Sequence, residues 1–318
     1  MAPRASWRFR ERGVVGSMKP CVFIHTNHRQ DLGAQVSAYS LRRNSARPEA
    51  FDVRILHTRD QAFLQEREGQ AFLRDGGRSV WRMEDLQSFT PLRFMPPEVM
   101  GWQGRALVID PDIFAVGDVW ELLSRDMQGK AILCRARSRK NVLAGKLASS
   151  VMLLDCGQLR HWRCAEQFAE LFSFERDYMD WITLRHEPRE SLGLLEPAWN
   201  DFDHLGPETR LLHNTKRRTQ PWKTGLPIDF TPARKRVRPS KPSTWLRPLT
   251  GRILGDPHAG GRYLSHPDPA QERFFFGLLK ECVERGLIQE ARLREEMRQN
   301  HLRHDALELL GRTPPLAA

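Results

Sequence analysis

Arg105-Ala-Leu-Val-Ile-Asp110-Pro-Asp112-Ile-Phe-Ala-Val-Gly-Asp118 is the stretch on which the reading of the fold turns. The apolar run Ala106–Ile109 is too short for a helix and too continuous for a half-exposed strand, so it predicts a strand covered on both faces. That strand ends in Asp110 and Asp112, and residues i and i+2 of an extended chain face the same way. Two carboxylates held together repel each other unless positive charge intervenes. A hard divalent cation, with open positions for phosphate oxygens, meets that need. Asp201-Phe-Asp203 has the same spacing but no buried run before it, and reads as a turn or a solvated loop.

Working outward, Cys21–Thr26, Val53–Thr58, Lys130–Cys134 and Ser150–Asp155 are further short apolar runs that end in polar residues. Helical patterns over Asp31–Asn44, Asp118–Leu123 and Cys164–Phe172 lie between them. This alternation predicts an α/β fold with a mixed, mostly parallel sheet flanked by helices. Ligands of such sheets bind beyond the carboxyl ends of the strands, where Asp110 and Asp112 fall. No Gly-rich dinucleotide fingerprint and no P-loop is present.

Composition divides the 318 residues into four parts: a basic tail over 1–17, expected to be disordered; an α/β domain over 18–230; a basic, Pro-rich connector over 231–265; and a helical C-terminal segment over 266–318. Met18 is a candidate true start. In the last part Phe274, Phe275, Leu278, Leu279, Cys282 and Val283 share one helical face, expected to pack on the body. Of the net charge of +11, +7 lies in 231–265 and +3 in 1–17. That is a solvated linker or an anchor for anionic lipid through Arg234–Arg238, not the basic face of a nucleic-acid reader. Five scattered cysteines without a Cys-x-x-Cys pair exclude a disulfide framework and a zinc site, and fit a reducing cytoplasm, with an option of peripheral membrane contact. No run reaches the length of about 20 apolar residues that a membrane span requires, and the N-terminus does not read as a secretory signal.

The strand and its Asp-x-Asp resemble the donor-site motif of glycosyltransferase family 8, the glycogenin and lipopolysaccharide galactosyltransferase group. Ala148-Ser-Ser-Val-Met-Leu-Leu-Asp155 and Leu211-Leu-His-Asn-Thr-Lys-Arg-Arg-Thr-Gln-Pro-Trp222 are similar to two later blocks of that family, in the same order. The resemblance covers about residues 20–225 and implies a GT-A fold. It also implies transfer of a sugar from a nucleotide-sugar donor, most simply a UDP-sugar, with retention and with Mn²⁺ or Mg²⁺, to a glycan, lipid or protein acceptor that the sequence does not name.

By the same resemblance His213 joins Asp110 and Asp112 as metal ligands. A strand ending in histidine can offer a ring nitrogen, and such a mixed oxygen and nitrogen shell suits Mn²⁺. His25, Thr26, Asn27, Arg93 and Ser150 fall where the family contacts the donor, although Arg93 also reads as a surface salt bridge. Asp177 or Asp180 falls near the reaction centre, and Trp199-Asn200 looks like a turn on the acceptor side. Ser149, Ser150 and Gln220 depart from the family pattern. The basic cluster Lys216, Arg217, Arg218 and Lys223 follows His213 and offers charge-assisted hydrogen bonds to the diphosphate; with Gln220 in place of a lysine, that binding is expected to shift to Arg218 or Lys223. These departures keep two alternatives open, a catalytically silent nucleotide-sugar-binding scaffold and a nucleotidyltransferase.

Overall fold

The computed structural model describes residues 18–137, 146–230 and 261–317. The expectations for the 1–17 tail and for the Arg234–Arg238 run lie outside the described residues. In chain order the strands are β1 (Cys21–Thr26), β2 (Asp52–His57), β3 (Ala71–Arg74), β4 (Gly77–Val80), β5 (Arg105–Ile109), β6 (Ile113–Ala115), β7 (Ile132–Ala136), β8 (Leu147–Asp155), β9 (Leu192–Leu194), β10 (Asp201–Phe202) and β11 (Leu211–His213).

Six of them form one sheet in the order β2-β1-β5-β8-β7-β9. β1 pairs in parallel with β2 and β5, and β7 with β9, while β8 runs antiparallel to both of its neighbours. The chain is therefore a mixed α/β protein with a mostly parallel sheet. The pleat divides the apolar side chains between the two faces. Phe23, Ala106, Val108, Met152 and Leu154 enter one core, with Trp162 and Phe168. Val22, Ile24, Leu107, Ile109, Val151 and Leu153 enter the other, with Ala34 and Leu41 of the helix α1 (Asp31–Arg43). Burial on both faces is why these strands read as unbroken apolar runs.

α1 carries Asp31 in its first turn and Arg42 and Arg43 in its last, the order that suits the helix dipole. Its start lies directly on the Asp-x-Asp loop: a Cβ at Gly33 would come within 2.8 Å of the Pro111 carbonyl oxygen. Only glycine allows that backbone approach.

A three-stranded ribbon, β10-β11-β6, crosses the carboxyl end of β5. β11 pairs antiparallel with β6, setting His213 opposite Ile113, and the Asn214 N–H donates to the Asp112 carbonyl at 3.1 Å. This ladder brings the imidazole beside a carboxylate about a hundred residues earlier in the chain.

The C-terminal helices Pro269–Glu284, Glu290–Arg298 and Ala306–Arg312 pack on the body as expected. Phe275, Phe276, Leu279 and Leu293 share a core with Leu32 and Val36 of α1, with Phe114 and with Trp222. The Asp268 side chain caps the first of these helices by accepting from the Ala270 N–H at 2.9 Å, and Pro269 stands at its first position. Tyr39 Oη and Arg43 Nε both donate to Glu281, each at 2.6 Å, tying this helix to α1. Among the described residues no helix is long and apolar enough to cross a membrane.

Candidate metal and donor site

Asp110, Asp112 and His213 meet at the carboxyl end of β5, each offering a ligand atom within 4.8 Å of the others. The tautomer of His213 follows from its neighbours. Asn200 Nδ2 donates to Ser150 Oγ at 3.0 Å, which turns the amide oxygen of Asn200 toward His213 Nδ1 at 2.8 Å. The Nδ1 proton is committed there, so Nε2 carries a bare lone pair. It faces Asp112 Oδ1 at 3.3 Å, and that oxygen is buried without a hydrogen-bond partner. Two such acceptors facing each other in a buried place are stabilised by positive charge between them, whether a proton on Nε2 or a cation. Two carboxylates and an imidazole are a donor set that fits a divalent cation such as Mn²⁺ or Mg²⁺.

Asp110 is held more tightly. Its Oδ1 accepts from His25 Nε2 at 2.6 Å and from Arg93 Nε at 3.0 Å, and its Oδ2 accepts from Arg93 Nη2. Burial would push this carboxyl up, but the Arg93 charge and the His25 hydrogen bond outweigh it and hold the group well below the usual carboxylate range. Arg93 is not the surface salt bridge of the alternative reading; it is 4% exposed and also donates to Ser149 Oγ at 2.9 Å. Burial pushes His25 down despite its contact with Asp110, so the ring is neutral and donates. Gln220 Nε2 reaches Asp112 Oδ2 at 3.2 Å, which leaves this glutamine on the carboxylate.

These groups border a cavity of about 360 Å³, whose wall includes Arg93, Asp110, Asp112, Ser150, His213 and Gln220. Other residues expected to hold the donor are placed elsewhere. Thr26 is buried and bonds the Asn27 carbonyl at 3.2 Å. Asn27 Nδ2 donates to Asp85 O, Leu86 O and Ser88 Oγ, fastening a loop. Arg218 is exposed and off the cavity wall, where its neighbour Arg217 stands instead. Lys223 is fully buried, with its ammonium committed to Asp229, so the structure corrects the expectation that it grips a diphosphate.

Neither acid expected near the reaction centre lines the cavity. Asp177 caps the helix Tyr178–Ile182 through the Met179 N–H at 2.7 Å and also accepts from the Gly76 N–H at 2.8 Å. Asp180 pairs with Arg185 at 2.7 Å. The second Asp-x-Asp is structural, as read: Asp201 accepts from Thr209 and Asp203 from the Lys216 N–H. Sequence reasoning missed the buttressing role of Asn200 and the presence of Arg137 on the wall, and it named Arg217 only as one member of a basic cluster, favouring Arg218 and Lys223. Only the Trp199-Asn200 resemblance drew attention to the first, and nothing local separates Arg217 from Arg218.

No protein-family model matches the chain, and no curated protein matches it in sequence. Among solved structures, it is similar to the glycosyltransferase GlyE of Streptococcus pneumoniae TIGR4, with 17% identity and a TM-score of 0.45 over 65% of this chain and 56% of that one. The galactosyltransferase LgtC, in complex with donor and acceptor sugar analogs, aligns with 14% identity and a TM-score of 0.44 over 64% of this chain and 89% of that one. Mouse xyloside xylosyltransferase 1 aligns with 14% identity and a TM-score of 0.41 over 61% and 97%. The chain thus spans little more than half of the length of GlyE that was compared.

Proposed function

We propose that the chain is a GT-A-type glycosyltransferase that takes a nucleotide-sugar donor, most simply a UDP-sugar, and transfers the sugar to an acceptor with retention. The observation that carries this reading is the convergence of three donor atoms within 4.8 Å of one another, on Asp110, Asp112 and His213, with Asp112 Oδ1 buried and without a hydrogen-bond partner. A divalent cation held there would bind the donor's phosphates and neutralise the diphosphate as its bond to the sugar breaks. Arg93 and His25 keep Asp110 ionised and oriented, Asn200 keeps the His213 lone pair aimed, and Gln220 steadies Asp112.

One observation favours a second reading. Asp177 and Asp180 are both spent on local structure, and among the described residues no carboxylate besides Asp110 and Asp112 lines the cavity. This fits a catalytically silent module that binds nucleotide sugars. Incubation with a panel of UDP-sugars and Mn²⁺, reading both binding and UDP release, separates the two. Slow UDP release by the wild type, lost in D112N and H213A, supports the enzyme, and binding without release supports the module. If no nucleotide sugar binds at all, both readings fall.

A further inference from the structure

Of the basic side chains close to the candidate site, most are already engaged or turned away. Arg93 is bound to Asp110, Lys223 to Asp229, and Lys216 and Arg218 are exposed off the cavity wall. Among the described residues two guanidinium groups remain on the wall, Arg137 just past the end of β7 and Arg217 just past β11. Neither has a carboxylate partner among the described residues. Arg217 lies 5.5 Å from the centre of the Phe230 ring, a contact that orients the guanidinium without neutralising it. Burial and the nearby Arg93 charge both press the Arg137 guanidinium down from its ordinary value, and Asp110 opposes them. A positive group placed against another positive group needs an anion to offset the cost.

We propose that Arg137 and Arg217 form an anion clamp that holds the diphosphate of the ligand across from the Asp110, Asp112 and His213 donors. The planar fork of a guanidinium matches a phosphate edge with paired hydrogen bonds, which an ammonium cannot reproduce. Among the described wall residues, Arg93, Arg137 and Arg217 stand against Asp110 and Asp112, which leaves one net positive charge before any cation is bound. The clamp assigns the phosphate-binding role to residues other than Arg218 and Lys223, and it rests on the nucleotide-sugar reading for the identity of its ligand.

The test uses the full chain and isothermal titration with three probes: inorganic pyrophosphate with Mg²⁺, UDP with Mg²⁺, and uridine. R137Q and R217Q are each expected to weaken pyrophosphate and UDP about tenfold or more, the usual scale for one charge-assisted contact. Uridine binding and thermal midpoint stay as in the wild type, and R137K and R217K recover part of the loss. Pyrophosphate binding that depends on both arginines, in a protein that binds no UDP, upholds the clamp and removes the nucleotide reading. UDP bound equally by wild type and both glutamine variants overturns the clamp and leaves the nucleotide reading standing. Equal losses for uridine and UDP also overturn it, since they mark a structural role.

Discussion

Asn200 spends both ends of its amide, one on Ser150 and one on His213, and through them it decides which nitrogen of the imidazole is free. A partner of this kind behind a metal-binding histidine governs affinity without touching the ion. N200A is therefore expected to lower Mn²⁺ affinity about 10- to 100-fold, measured by titration calorimetry, with the fold retained. Unchanged Mn²⁺ affinity in N200A would remove the argument about the His213 tautomer. The grouping of Asp110, Asp112 and His213 was expected, the two acids from the buried run before them and the histidine from the family resemblance, and the three do converge. The rest of the site was less legible. His25 read as a ligand contact, yet it is an Asp110 partner, since the pairing of β1 with β5 places the two strand ends together. Arg217 and Arg218 are chemically alike neighbours, and only the turn that contains them decides which one meets the cavity.

At the scale of elements, β1 occupies the predicted Cys21–Thr26 and α1 ends one residue short of Asn44, because apolar continuity and helical periodicity are local signals. The antiparallel course of β8 was not legible, as it depends on pairing with β5 and β7 rather than on any residue within the strand. The β3-β4 hairpin was missed because its short strands alternate weakly and are largely exposed. That hairpin explains Asp177. Backbone N–H groups of Gly76, Asp75 and Met179 donate to its carboxylate, outweigh burial and hold the carboxyl below its ordinary value. A carboxyl depressed in the folded state stabilises above the unfolded value of about 4, and that gain fades as pH falls through the folded value. D177A is expected to cost about 1 kcal/mol at pH 7, read by urea denaturation, with the gap to wild type closing on acidification below about 4. Ligand affinity should not move. Loss of UDP release at unchanged stability would return Asp177 to a catalytic role.

Over the whole molecule, the two described ends of the connector are fastened together. Lys223 and Tyr263 both donate to Asp229, and Gly225 and Tyr263 bond through their backbones at 2.9 Å. In the sequence Lys223 looked like a phosphate ligand, because its acceptor lies six residues on and the covering tyrosine lies at the far end of the connector. Burial lowers the Lys223 ammonium and Asp229 opposes it. K223A leaves the Asp229 charge without its partner and is expected to destabilise the chain by about 3–5 kcal/mol, followed by chemical denaturation. Pyrophosphate affinity of the surviving folded fraction should match wild type. A variant of full stability that binds pyrophosphate poorly would reverse the assignment of Lys223.

The contact between Gly33 and Pro111 makes α1 a rod with its tip resting on the loop between the two aspartates and its flank bearing the C-terminal helices. There is no slack at that tip, because backbone meets backbone. A loosening of the far helices, whether by truncation or by a competing partner, is therefore expected to tilt the rod and shift Asp110 and Asp112 relative to His213. If the site holds a cation as proposed, its affinity is expected to fall before the thermal midpoint does, and serves as a strain gauge for the C-terminal helices.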